Sequence, residues 1–248
     1  MKVFIGTSGW SYYSFKGIFY PEELKSRDWL SFYARHFNAV EINATFYRLP
    51  RKSTFEKWYA ETPEDFIFSV KASKVITHVK RLKDVKEELS NFLDRVSVLK
   101  EKARVLLFQL PPSLKYDKAL LEGFFPLLPG EYLNVIEVRH KSFHCEEFFE
   151  ICRKYNVCLC FSDCGKKYPY AWFEVQTAPF LYVRLHGSPD IYVSNYSKER
   201  LKELAAFLKE FQAEELFVFF DNTAKGYAVL NALEFKDLLK VGSFETDF

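Results

Sequence analysis

Residues 181–187 read LYVRLHG. Tyr182, Arg184 and His186 fall two apart in an otherwise apolar run, so a strand here carries them on one face and ends at Gly187, where a ligand or another backbone can approach closely. Seven further runs rich in Val, Ile, Leu and Phe share the habit of turning polar at their C-terminal end. They are Val3 to Ile5, Ala39 to Thr45, Phe66 to Ala72, Val105 to Leu110, Val135 to Arg139, Cys158 to Ser162 and Leu216 to Asp221.

Helix-like patterns fill most of the intervals. Pro21 opens one, with Glu22 and Glu23 in its first turn, and it runs to Asn38; Ser53 and Glu56 have the spacing of a capping box for the next. Others cover Asp84 to Lys102, Asp117 to Leu128, Glu146 to Tyr155, Ser197 to Phe211 and Gly226 to Lys240. Only Asp163 to Phe180 is too short and aromatic for a crossover helix. A regular βα alternation admits an open doubly wound sheet or a closed barrel. The turn GTSGW at 6–10 lacks the phosphate-loop spacings of open-sheet nucleotide binders. Polar strand ends favour closure, because barrel strands send every second residue inward. The expectation is one domain, residues 1–248, forming a single TIM-like (β/α)8 barrel with an irregular sixth βα unit.

Composition bounds the function. Of 248 residues, 48% are hydrophobic and 27% charged, which excludes a disordered chain; a formal charge of +2 gives no global field for a polyanion, so any anion site is local. No stretch approaches the ~20 apolar residues that span a bilayer, and MKVFIGTSGW lacks a signal peptide's apolar core. A cytoplasmic protein without membrane contact is expected. Cys145, Cys152, Cys158, Cys160 and Cys164 lack paired metal-ligand spacing and read as free thiols.

At and just beyond the strand ends stand Thr7 and Ser8, Glu41 and Asn43, Lys71, Gln109, Glu137 and Arg139, Asp163, Arg184 and His186, and Asp221 and Asn222. Barrel active sites lie at this face. Glu137 and Arg139 share a strand face about 7 Å apart in rise, so the arginine favours an ionised carboxylate. Arg139, Arg184 and Lys71 together suit a phosphate or carboxylate. Glu41 or Glu137 then serves as base or nucleophile and His186 as proton partner, with the others binding substrate. Mutual ion pairing across the strand ends is the alternative. The Gly6–Gly9 turn is either an anion nest or a plain tight turn. Trp10, Tyr47 and their aromatic neighbours suit a sugar or a base, or simply pack the loops. His140 and His144 follow a strand rather than lying on a helix, and no metal or cofactor is expected.

GTSGW at 6–10, EINATFYRLP at 41–50, FQLPPS at 108–113, EVRHKSF at 137–143, YVRLHG at 182–187 and DNTAKGYAVLNA at 221–232 closely resemble the YecE-like family, domain of unknown function 72. The resemblance implies a TIM-like barrel and no settled reaction. It maps the family pattern onto Glu41, Asn43, Tyr47, Lys71, Gln109, Glu137, Arg139, Arg184, His186 and Asn222, with Phe143 where relatives often carry Trp and Asp221 where they often carry Asn. Three functions remain open: an enzyme on a small anionic or sugar-like substrate, nucleic-acid binding or repair by fold analogy with endonuclease IV, and noncatalytic binding of a small ligand.

Overall fold

The structure, a computed structural model, describes residues 1–239. It is a mixed α/β fold with two parallel sheets. One has the order β1 (Lys2–Thr7), β9 (Glu215–Phe220), β8 (Phe180–Leu185), β7 (Phe161–Asp163). The other runs β2 (Ala39–Ile42), β3 (Ile67–Lys71), β4 (Ala103–Gln109), β5 (Leu133–Glu137), β6 (Val157–Leu159). The expected sixth strand is thus cut at Cys160: β6 pairs with β5, and β7 pairs with β8. At the opposite edges, Ser8 bridges Glu41 in parallel, joining β1 to β2.

Period-two alternation sorts the strand residues into two layers. Phe4, Ala39, Ile67, Val105, Leu107, Val135, Cys158, Cys160, Phe180, Tyr182, Phe217 and Phe219 form one buried cluster between the sheets. The other parity packs outward, Val40, Phe68, Leu106, Ile136, Val183 and Val218 among them, against helices α4 (Lys86–Val96), α5 (Lys118–Phe124), α6 (Glu146–Lys154), α7 (Lys198–Lys209) and α8 (Tyr227–Leu239). Both faces of each sheet are covered, as parallel sheets require. Asp117 caps α5 through the Leu120 N–H and Ser197 caps α7 through the Arg200 N–H. The expected end of the last helix, Lys240, lies outside the described residues. Among the described residues no helix is long and apolar enough to cross a membrane.

Two sequence expectations fail locally. The helix from Pro21 to Asn38 shrinks to a turn at Ser26–Asp28 and the five residues of α1 (Trp29–Tyr33). Packing overrides helical spacing here: Tyr20 is buried with its ring stacked on Trp29 at 4.8 Å and its hydroxyl donating to the Trp10 carbonyl, which holds the chain in turns. Asn38 instead braces β1, accepting from Ile5 N–H and donating to Val3 O. The capping box does not form either, because α3 (Lys52–Ala60) starts two residues earlier, with Arg51 at its N-cap and Ser53 already inside.

Gly6 sits where β1 meets β2. A Cβ there would run into the Ala39 carbonyl and stand 2.8 Å from the Tyr33 hydroxyl, whereas one on Gly123 in α5 would meet nothing within 4 Å. Gly6→Ala is therefore expected to destabilise by about 1–3 kcal/mol through overpacking. Gly123→Ala should be neutral or stabilising by about 0.4–1 kcal/mol. Chemical denaturation of both variants checks the pair; equal midpoints would contradict the close approach.

Candidate functional site

The inward rows change character along their length. Phe180, Tyr182 and Arg184 share one face of β8, with His186 just past its end; Val135 and Glu137 do so on β5, and Ala39 and Glu41 on β2. Apolar residues fill the start of each row, and ionisable ones gather at its C-terminal end. Their centre is Arg184, only 1% exposed. Its Nε and Nη2 donate to the two Glu41 oxygens at 2.9 and 2.7 Å, while Nη1 donates to Glu137 Oε2 at 2.6 Å. Such a bidentate, charge-assisted geometry is the strong form of the interaction.

Neither carboxylate depends on Arg184 alone. Ser8 Oγ and the Tyr182 hydroxyl donate to Glu41 at 2.8 and 2.6 Å. Arg139 Nε and Nη2 reach Glu137 Oε1 at 2.9 and 2.8 Å, and Ser162 Oγ donates to the same oxygen at 3.1 Å. Burial pushes the Glu137 carboxyl up, but Arg139 and Arg184 beside it, with His186, hold it well below the usual carboxylate range. Glu41 and Glu137 are both fully enclosed. The base-or-nucleophile role expected for them would need a substrate to reach past the side chains that cover them.

His186 follows Arg184 on the same row. Its Nδ1 lies 2.8 Å from Asp221 Oδ2, off the axis of a good hydrogen bond. Burial and Arg184 oppose a charged ring, yet Cys164 and Asp221 outweigh them and lift its pKa to about 10. One contact pulls the other way: Arg184 Nη1 stands 3.2 Å from Nε2, and a guanidinium only donates, so this contact favours a neutral ring with a lone pair on Nε2. Geometry decides what both forms share, a proton on Nδ1 facing Asp221. The Asp221 carboxyl, which burial would raise, is lowered by His186, Arg184 and Lys71.

Lys71 differs from the other buried cations. Its side chain lies at the end of β3 with Nζ 4.4 Å from the centre of the Phe46 ring, and among the described residues it has neither an ion pair nor a side-chain hydrogen bond. Burial and Arg184 lower its pKa to about 8, against the pull of Glu137, Glu41 and Asp221. His78 packs edge-on to the same Phe46 ring at 4.9 Å; burial, then Lys71 and Arg139, lower its pKa to about 4.

The remaining expected residues go elsewhere, and strand parity explains most of them. Thr7 has the outward parity and bonds Tyr33 and the Gly9 carbonyl. Asp163 is also outward; it accepts from Gly165 N–H and the Tyr196 hydroxyl. Asn222 donates to Ser194 O and Asn231 Oδ1, which props loops together. Gln109 has the inward parity but turns its amide to the Leu110 carbonyl. Trp10, Asn43 and Tyr47 line a separate cleft of about 470 Å³ with Tyr12, Arg27, Lys57, Trp58 and Glu61. Its aromatic wall is Trp10 edge-on to Trp58 at 5.2 Å, and the Asn43 Oδ1 is buried without a partner. Tyr12 borders both regions, since Asp221 and Glu41 each act on its hydroxyl.

Sequence reasoning missed Trp58, which comes from a helix, and gave Tyr182 and Cys164 no place in the site. Tyr182 was legible, two residues before Arg184. Glu137, Cys164 and His186 bring three potential metal donors within 4.8 Å of one another. Both Glu137 oxygens already accept from guanidinium groups, so a cation there would face two positive charges and spent lone pairs. The donor set does not fit a metal.

A family model described as "Protein of unknown function DUF72" matches residues 4–246, and the chain belongs to that family. It is 27% identical to the UPF0759 protein YunF of Bacillus subtilis over 96% of this chain and 95% of that one. It is 37% identical to the UPF0759 protein YecE of Escherichia coli over 112 residues, 45% of this chain; the match spans 41% of YecE's own length. Among solved structures, a DUF72 family protein from Thermotoga maritima superposes with a TM-score of 0.88 at 34% identity, covering 96% of this chain and 99% of that one. One from Enterococcus faecalis, at 20% identity and a TM-score of 0.85 over 97% of this chain and 96% of that one, shares the fold.

Removing Arg184 leaves the buried Glu41 carboxylate without a cation and Glu137 with Arg139 as its remaining guanidinium. Arg184→Met is expected to lose about 3–5 kcal/mol of unfolding free energy at neutral pH, the cost of leaving buried charge unpaired. Acid titration supplies a second check. Because the native Glu137 pKa is depressed, the unfolded chain binds a proton there first, and stability present above the unfolded value of about 4.3 is lost as pH falls through the native one. Glu137→Gln, less stable at pH 7, should show a shallower decline below pH about 4.3. Parallel acid limbs in the two proteins would contradict the ion-paired assignment.

Proposed function

We propose that the two sheets close into a single TIM-like (β/α)8 barrel, and that its C-terminal mouth is the site of a metal-independent enzyme acting on a small anionic or sugar-like substrate by general acid/base chemistry. The closure reading rests on two links: the Ser8–Glu41 bridge at one pair of edges and the single residue Cys160 between β6 and β7 at the other. The functional reading rests chiefly on one observation. Lys71, Arg139, His186 and Asp221, from four different strand ends, surround a charge network whose deeper members already satisfy one another.

The roles follow from exposure. Arg139 commits Nε and Nη2 to Glu137, which leaves Nη1 for a ligand, and its guanidinium lies 4.8 Å from the centre of the Tyr168 ring. With Lys71 it forms the anion clamp. Asp221, whose side chain is 12% exposed, takes the part of base, with His186 behind it as the proton partner. Glu41 and Glu137 position Arg184 and Arg139 and do not touch the substrate. The Trp10–Trp58 cleft suits a ring or carbon chain attached to the anion. Nucleic-acid binding, for which the basic run Lys80, Arg81 and Lys83 would supply the phosphate contacts, is the weaker reading, because Lys80 is paired with Glu88 at 2.7 Å.

Thermal unfolding in the presence of phosphorylated sugars, 2-oxo acids, other carboxylates and nucleotides tests this reading. A ligand at one hundred times its dissociation constant stabilises by about 2.7 kcal/mol. For a chain of this size that is a rise of about 5–10 °C. Arg139→Ala should abolish the shift. No shift with any anion, or an undiminished shift in the variant, would overturn the assignment.

A further inference from the structure

We propose that Lys71 is a covalent nucleophile that forms an imine with the carbonyl group of an anion-bearing substrate, such as a 2-oxo acid or an open-chain sugar phosphate. This rests on the anion-binding reading above and narrows its substrate class. Lys71 stands at a strand's C-terminal end, with Nζ 4.4 Å from the centre of the Phe46 ring, and among the described residues neither a carboxylate nor any other acceptor takes a hydrogen bond from it. The residue is 9% exposed, so the amine is shielded without being sealed. Buried Lys102 offers a contrast. It donates to Tyr59 O, Thr62 O and Thr62 Oγ1, and its lone pair is never presented.

The surroundings supply what the step needs. A desolvated lysine near another cation is an activated amine; burial and then Arg184 act on Lys71 in that sense, against the pull of Glu137, Glu41 and Asp221. The neutral amine attacks the carbonyl carbon, forming a C–N bond as the C=O π electrons move to oxygen. Transfer of an amine proton to that oxygen gives the carbinolamine. A second proton, from solvent, expels the oxygen as water and leaves a cationic iminium; carbonyl and protonated amine become iminium and water, with no change of oxidation state. Arg139 Nη1 holds the substrate's anion, and Asp221, near enough for its charge to act on Lys71, takes the proton from the carbon next to the iminium. His78 faces Lys71 across Phe46 and stays neutral at pH 7, so it adds no competing charge.

The test traps the adduct by reduction. The full chain is incubated at pH 7 with pyruvate, glyoxylate or glyceraldehyde 3-phosphate and sodium cyanoborohydride, then digested and mapped by mass spectrometry. At that pH a lysine titrating near 8 has on the order of a hundredfold more free amine than an ordinary one near 10.4. The reduced adduct should therefore accumulate at Lys71 well ahead of any exposed lysine. It should be missing from Lys71→Arg and Lys71→Met, and should fall at least tenfold when a non-carbonyl anion such as lactate or phosphate competes. If either variant fails to fold, the map of the parent protein decides alone. Labelling spread over surface lysines, with Lys71 not preferred, overturns the proposal. If phosphate or lactate still raises the melting temperature in that case, the anion site stands and only the imine falls. If no anion shifts it, both fall together.

Discussion

Arg184 is the side chain on which both the architecture and the site depend. It lies on β8 in one sheet, and its two carboxylate partners, Glu41 on β2 and Glu137 on β5, lie in the other. Three short charge-assisted hydrogen bonds therefore cross the interior and fix how the sheets face each other at their C-terminal ends. At their N-terminal ends Phe4, Phe180 and Phe217 of one sheet share an apolar cluster with Ala39, Ile67 and Val105 of the other. Packing of that kind tolerates small shifts, whereas a guanidinium gripped by two carboxylates does not.

Stability alone does not call for this arrangement. A buried ion pair is at best comparable with a well-packed apolar pair of the same volume, because desolvation consumes most of the attraction. The rows below the network are apolar, and the chain could have continued them upward. What the charges supply is rigidity and field. Arg139 is held against Glu137 with one nitrogen spare, and Asp221 is set against His186. Lys71 is left without a direct partner among the described residues, with burial and Arg184 opposing its charge. Groups placed this way need no rearrangement when charge develops on a bound ligand, the condition under which electrostatic stabilisation is most effective.

The βα alternation was legible from the sequence because it rests on local apolar runs and their spacing, and Arg184 with His186 stood out from period two alone. Parity applied to every strand would also have separated Ser8 from Thr7 and Asp221 from Asn222, since an inward residue meets the network and its neighbour meets a helix. Other features depend on long-range packing. The Pro21–Asn38 segment has good helical spacing, but the Tyr20 ring on Trp29 fixes it in turns. Tyr47 follows a polar strand end like the rest, yet β2 stops at Ile42 and the chain turns through the short helix α2 (Ala44–Tyr47), which carries it to the cleft. Trp58 reaches the same cleft from a helix, and no strand-end pattern points to it.

Charge balance ties the unpaired lysine to the histidine. Glu41, Glu137 and Asp221 bring three negative charges into the enclosed volume, against which Arg139 and Arg184 set two positive ones. One further positive charge makes the cluster neutral, and only Lys71 and His186 can carry it. With Lys71 protonated, a neutral His186 would complete the balance, the form that the 3.2 Å contact from Arg184 to Nε2 favours and that the lift of the ring's pKa to about 10 opposes. If Lys71 gives up its proton, the third carboxylate is unopposed and the imidazole gains the incentive to charge against Asp221. An anion entering beside Arg139 adds negative charge and pushes both toward protonation, whereas an iminium at Lys71 restores a fixed cation and returns His186 to neutrality. On the proposed reading, the same two groups that answer the network's internal deficit would respond to a bound anion by exchanging protons, without any movement of the backbone.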